Sequence, residues 1–199
     1  MMKTIVLATK NKNKAREIAE MLNHQYKVLT MEDVGFSDDI QEDGLNFKEN
    51  ADIKARALYR HLKGQDVMIM GDDSGLVVDI LEGAPGIYSA RYAGEPVDDR
   101  RNNQKLLKEL EGFSKNERKA HFVCVLSLID GKTGKIYHAE GRVTGFIGER
   151  EMGEGGFGYD PVFMITEDRS FAQLSSEEKN RISHRGEAIK KAKNILKVF

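Results

Sequence analysis

The stretch Gly71-Asp72-Asp73-Ser74-Gly75 places two adjacent carboxylates directly after an apolar run, Val67–Met70. Carboxylates beyond the carboxyl end of a strand in an α/β sheet can hold a hard divalent cation such as Mg²⁺, which prefers oxygen ligands and keeps several waters. Such an ion neutralises phosphate charge and acidifies an attacking water. Asp, Ser and Gly are equally the residues of an ordinary turn, and the stretch predicts a turn between two strands. Its G-x-x-S-G spacing differs from the G-x-S-x-G of a nucleophile elbow. Upstream, Glu42 and Asp43 precede a helix and read as loop charge. If that loop folds back towards Asp73, Glu42 supplies a second carboxylate to the same ion; Gln41 is uncharged and cannot.

The complementary charge lies near the amino terminus. Thr9-Lys10-Asn11-Lys12-Asn13-Lys14 interrupts the apolar run Ile5–Ala8 before a helix resumes. Backbone N–H groups at a helix start are unpaired and partially positive, so with lysines added the junction offers a seat for an anion, above all a phosphate. A polar helix cap is the plainer reading. Lys14 and Asp73 are expected to face each other across one crevice.

Gly153, Gly155 and Gly158 form a literal G-x-G-x-x-G. It comes late and runs into Tyr159-Asp160-Pro161 and a strand, so it is no dinucleotide fingerprint, which opens a βαβ unit. It reads as a flexible loop presenting Phe157 and Tyr159, either to stack on a nucleobase or to pack on the core, with Asp160 able to accept from a base N–H. Lys179, His184 and Arg185 form a compact polar cluster that can donate to carbonyls or phosphates, or simply line a helix surface. The five histidines show no zinc pattern.

These groups need elements to hold them. A strand near residues 3–8 leads to a helix from Lys12 to Leu22, with Ala15, Ile18, Ala19 and Leu22 on one face. Strand Lys27–Thr30, helix Asn46–Leu62 and strands Val67–Met70 and Leu76–Ile80 follow. Asp98 caps a helix through about Leu110. Ala120–Ile129 and Ile136–Ile147 read as a long hairpin about Gly131–Gly134. Pro161–Ile165 is a short strand. Ser175 and Glu178 make a capping box for a helix broken around Ser183–Gly186 that ends near Val198. The alternation predicts an α/β fold with a mixed sheet.

At 199 residues the chain fits one domain. Its 31 basic and 32 acidic residues leave a formal net charge of −1, which argues against nucleic acid as a partner. The lone Cys124 permits no internal disulfide and reads as a buried structural thiol. Neither a signal-peptide pattern nor a long apolar span occurs, so a soluble cytoplasmic protein with no membrane partner is expected.

Five stretches in order, "TKNKNK", "ENADIKARA", "GDDSGLVVDILEGAPGIYSARYAG", "GGFGYDPVF" and "SSEEKNRISHRGEA", resemble the inosine triphosphate pyrophosphatase family across nearly the whole chain. The resemblance implies an elongated mixed β-sheet flanked by helices, two lobes with a central cleft, and a homodimer. It implies Mg²⁺-dependent hydrolysis of non-canonical purine nucleoside triphosphates to monophosphate and pyrophosphate. Thr9, Asn11 and Lys14 match the phosphate-binding turn, with Lys10, Lys12 and Asn13 between them. Asp73 matches the general base and metal ligand, and Glu42 the upstream metal ligand. Ser74 matches a substrate contact, Phe157, Gly158, Tyr159 and Asp160 the base-pocket loop, and Lys179, His184 and Arg185 the residues lining the base. Two other readings share some of these features: a regulatory module that binds triphosphate without cleaving it, and a septum-formation-inhibitor-type nucleotide pyrophosphatase. A P-loop GTPase is excluded because G-x-x-x-x-G-K-[ST] is absent.

Overall fold

The structure, a computed structural model, describes residues 2–22 and 25–199. The elements run β1 (Thr4–Ala8), α1 (Lys12–Met21), β2 (Lys27–Thr30), α2 (Phe47–Leu62), β3 (Val67–Val78), α3 (Asp99–Glu109), β4 (Lys119–Asp130), β5 (Ile136–Ile147), β6 (Phe163–Met164), α4 (Ser176–Ile182) and α5 (His184–Leu196). One six-stranded sheet carries the order β2-β1-β3-β4-β5-β6. β1 pairs parallel with both β2 and β3, whereas β5 pairs antiparallel with β6, so the sheet is mixed as expected. The chain divides into two compact units. The first comprises Met1–Asp73, Cys124–Gly141 and Arg185–Phe199, and the second Ser74–Val123 and Arg142–His184.

The first unit is layered because its central strands are apolar on both faces. Ile5 and Leu7 of β1 and Met68 and Met70 of β3 join Ile18 and Leu22 and α5 residues Ala188, Ile189 and Ala192 in one core. The alternate residues Val6, Ala8 and Ile69 join Ala55, Leu58 and Leu62 of α2 in another. Period-two alternation thus divides each strand between two helical layers. In the second unit Leu76 and Val78 pack with Leu106 of α3, its C-cap Leu110, and Phe122, Phe163 and Phe171.

Two sequence expectations need correction. No turn separates two strands at Gly71–Gly75: β3 runs unbroken for 12 residues, through both aspartates, and stops at Val78, where a 3₁₀ turn Asp79–Leu81 begins. Gly71 owes its identity to a neighbour. A Cβ there would lie 2.3 Å from the Ala51 carbonyl oxygen and 3.0 Å from the Ala55 nitrogen, both on α2. The glycine lets helix and strand backbones touch. The second correction is β6, which spans two residues where Pro161–Ile165 was expected.

Candidate active site

Asn11 is the N-cap of α1, its side-chain oxygen accepting from Asn13 N at 3.0 Å and Lys14 N at 3.1 Å. Thr9 Oγ1 accepts from Asn11 N at 3.1 Å and fixes the approach to the cap. Two of the amides expected to lie open to an anion are therefore held by the cap, so the positive character of this junction comes chiefly from lysine side chains. Lys10 pairs with Asp39 at 2.5 Å on the surface, Lys12 is exposed, and Asn13 is half-buried. Lys14 turns inward, its Nζ 2.5 Å from Asp72 Oδ1.

Consecutive residues of a strand point to opposite faces, and the two aspartates accordingly take different partners. Asp72, 2 % exposed, accepts from Lys14 through one oxygen. Its Oδ2 accepts from Arg185 Nε at 3.1 Å and from Cys124 Sγ at 3.3 Å. Arg185, 1 % exposed, also donates to Glu17 Oε2 at 2.6 Å. Burial pushes the Asp72 carboxyl up, but Arg185 and Lys14 outweigh it and hold the group well below the usual range. Burial, with Asp72 adding to it, pushes the Cys124 thiol well up, so this residue is a neutral structural thiol as expected.

Asp73 meets α2 instead. Lys54 Nζ lies 2.9 Å from Asp73 Oδ1 and 2.6 Å from Glu42 Oε2. The loop does fold back, and one ammonium joins both carboxylates. Burial raises the Asp73 pKa above the ordinary value against the pull of Lys54 and Lys14, and Glu42 adds to the rise. The same burial works against the Lys54 charge, but Asp73 and Glu42 more than offset it and raise the ammonium pKa. Among the described residues Asp73 Oδ2 is buried without a hydrogen-bond partner.

In the second unit the glycine-rich loop is tied down internally. Asp160 Oδ2 accepts from Lys179 Nζ at 2.6 Å and from Phe157 N at 2.8 Å. The Lys179 ammonium lies 4.6 Å from the Phe157 ring centre, a cation–π contact. Gly158 is half-buried. Tyr159 is buried and donates from its hydroxyl to Ser89 O at 2.8 Å, so of the two aromatic residues Tyr159 is core and Phe157 is half-buried. His184 stacks on Phe122, ring centres 4.7 Å apart. Ser74 opens this unit and is half-buried on β3.

The Ham1 family matches residues 5–195. The chain belongs to the Ham1 family. It is 48% identical over 201 residues to a dITP/XTP pyrophosphatase of Clostridium perfringens and 45% identical over 199 residues to one of Bacillus subtilis, each match covering 98% of both chains. The Ham1 protein of Staphylococcus aureus superposes with a TM-score of 0.86 at 40% identity, covering 98% of both chains. A HAM1 protein from Coxiella burnetii superposes at 0.85 and 36% identity over the full length of both.

In this Ham1-family chain two residues of the site escaped the motif reading. Lys54 lies inside "ENADIKARA", and its signal is a charge wedged between Ala51 and Ala55 on the apolar stripe of α2. Glu17 likewise lies beside the buried Ile18 on α1. Both are buried charges that need partners. The residues present fit a divalent cation. Asp73 and Glu42 already share one cation, Lys54, and Asp73 keeps an open acceptor. Among the described residues no group of three or more His, Cys, Asp or Glu side chains could hold a metal ion. One or two carboxylates completed by water and substrate phosphate is the arrangement typical of Mg²⁺.

Proposed function

We infer that this protein is a nucleoside-triphosphate pyrophosphatase that hydrolyses non-canonical purine nucleoside triphosphates (ITP, dITP, XTP) to the monophosphate and pyrophosphate. Relatives bearing the name dITP/XTP pyrophosphatase match end to end at 44–48% identity. The structural observation that carries the chemistry is Asp73: a buried carboxylate of raised pKa, with one oxygen open, sharing Lys54 with Glu42.

Asp73 takes a proton from a water whose oxygen attacks the α-phosphorus. The bond from that phosphorus to the bridging oxygen breaks and pyrophosphate leaves. A raised pKa suits this role, because a general base works best when its pKa approaches the working pH. Mg²⁺ bound by Asp73 and Glu42 would neutralise phosphate charge and acidify the water. Lys14, Lys10, Lys12, Asn13 and Thr9 bind and orient the phosphates, with Asn11 shaping their turn and Ser74 adding a contact. Lys54 lies against the same carboxylates and stabilises the charge that develops on the phosphates. Catalysis here is positioning plus electrostatics.

The base is read by the 157–160 loop with Lys179 and His184, whereas Arg185, which the resemblance adds to that set, is buried against Asp72 and Glu17. Phe157 stacks on the ring, and donors from this set meet the C6 carbonyl of hypoxanthine or xanthine. Adenine presents an amino group there, and opposing two donors costs about 1–3 kcal/mol. On the same reading the protein works as a cytoplasmic homodimer, with no nucleic acid or membrane partner.

A panel of ITP, XTP, dITP, GTP and ATP assayed with Mg²⁺ tests this, with pyrophosphate and orthophosphate measured separately. Pyrophosphate from the first three, at rates about 10-fold or more above ATP, is expected. Tight binding with no turnover would instead make the chain a sensor. Orthophosphate as the product would place the cleaved bond elsewhere.

A further inference from the structure

The loop 151–160 holds four glycines, and a glycine-rich backbone loses much conformational freedom when it is fixed. Something must hold it where Phe157 and Asp160 can act. Lys179 and Asp160 brace the side chains. The backbone is held by α3. Gly158, at φ +63°, lies in the left-handed region. Its N–H donates to Asp99 Oδ2 at 2.7 Å and its carbonyl accepts from Asn103 Nδ2 at 3.1 Å. Asp99 and Asn103 are four residues apart, one turn of helix, so a single face of α3 presents an acceptor and a donor to the two peptide groups that flank Gly158.

The helix supplying them is itself anchored. Asp98 caps it by accepting from Arg101 N at 3.0 Å, and Leu106 and Leu110 are buried. Asn102, next to Asn103, donates to Ala90 O at 3.0 Å and accepts from Ala93 N at 2.7 Å, joining the end of the 3₁₀ turn Gly86–Arg91 to the residues just after it. Tyr159 ties the loop to Ser89 of that turn. Asn103 is 3 % exposed, so its bond is shielded from competing water.

We propose that Asp99 and Asn103 are positioning residues for base selection: they clamp the peptide groups on either side of Gly158, and so hold the Phe157 ring and the Asp160 carboxylate in the geometry that distinguishes one purine from another. This rests on the reading of the 157–160 loop as the base site. Neither residue needs to touch the nucleotide. Their loss leaves the chemistry intact and makes the substrate pay for ordering the loop, which appears in KM and in selectivity.

Steady-state kinetics on ITP and ATP with four variants tests the clamp. Asp99→Ala removes the acceptor. Asp99→Asn keeps an acceptor oxygen and should restore the wild-type values. Asn103→Asp sets a carboxylate against the Gly158 carbonyl. Phe157→Ala tests the base-loop reading on its own. Asp99→Ala and Asn103→Asp are expected to raise KM for ITP about fivefold or more, the equivalent of one ordinary hydrogen bond, with kcat within about twofold and a narrowed ITP-to-ATP ratio. Hydrogen exchange at the Gly158 amide should speed up in Asp99→Ala and stay slow in Asp99→Asn. Asp99 is exposed, so its variants decide the matter if Asn103→Asp does not fold. A Phe157→Ala enzyme of unchanged KM and ratio overturns the base-loop reading and the clamp with it. If Phe157→Ala alters selectivity while Asp99→Ala matches wild type, the clamp alone is wrong.

Discussion

Asp72 and Asp73 are neighbours in sequence and opposites in electrostatics. Arg185 and Lys14 hold the Asp72 carboxyl well below the usual carboxylate range; burial raises the Asp73 carboxyl above it against the pull of Lys54 and Lys14. Their amides should therefore behave in opposite ways. A carboxyl whose folded pKa is lowered contributes stability above its unfolded pKa, and that stability is lost as pH falls through the folded value. Asp72→Asn should then destabilise the fold at neutral pH by about 3 kcal/mol, since it strands Arg185 and Lys14. For a raised pKa the sign reverses: the contribution is complete below the unfolded pKa and disappears as pH rises through the folded one. Asp73→Asn should thus melt above wild type at pH 7, measured without divalent cation, with the gap closing in acid. The same variant should lose about 100-fold or more in turnover, and wild-type kcat/KM should fall as pH drops through a point above the ordinary aspartate range. A turnover-competent Asp73→Asn enzyme would remove this residue from the chemistry.

At the scale of elements, local signals were legible and distant ones were not. The Asn11 and Asp98 caps, the Ser175–Glu178 capping box and the strand Ile136–Ile147 all follow from residues within four positions of each other or from simple alternation. Gly71-Asp72-Asp73-Ser74-Gly75 misled because its composition is that of a turn, whereas its cause lies on another element: α2 presses so closely that only glycine fits at position 71. Gly71→Ala should cost about 2–3 kcal/mol through overpacking, and because Lys54 rides on α2 it should also lower turnover. Equilibrium urea unfolding together with kcat would show both; a silent alanine would return the glycine to a mere conformational role. The ion pairs were hidden for the same reason. Lys54 and Asp73 are 19 residues apart, and Arg185 and Glu17 are 168 apart. Sequence marked Asp73 and Glu42, but only the folded chain brings in Lys54, the cation they share.

For the molecule as a whole, the path of the chain sets the cooperativity. It passes between the two compact units four times: after Asp73 in β3, after Val123 in β4, after Gly141 in β5 and after His184 in α5. Every crossing falls inside a strand or helix, and none in a linker. Loss of one unit breaks the elements of the other, so unfolding should be a single two-state transition. Superimposable melts by far-UV circular dichroism and near-UV absorbance, with calorimetric and van't Hoff enthalpies equal, are expected; two resolved steps would refute it.

That threading also bears on inheritance. A gene assembled by fusing ready-made modules keeps a seam where its parts can be cut and exchanged. Here recombination at any of the four junctions would sever hydrogen-bonded backbone, so both units must be passed on and must diverge together.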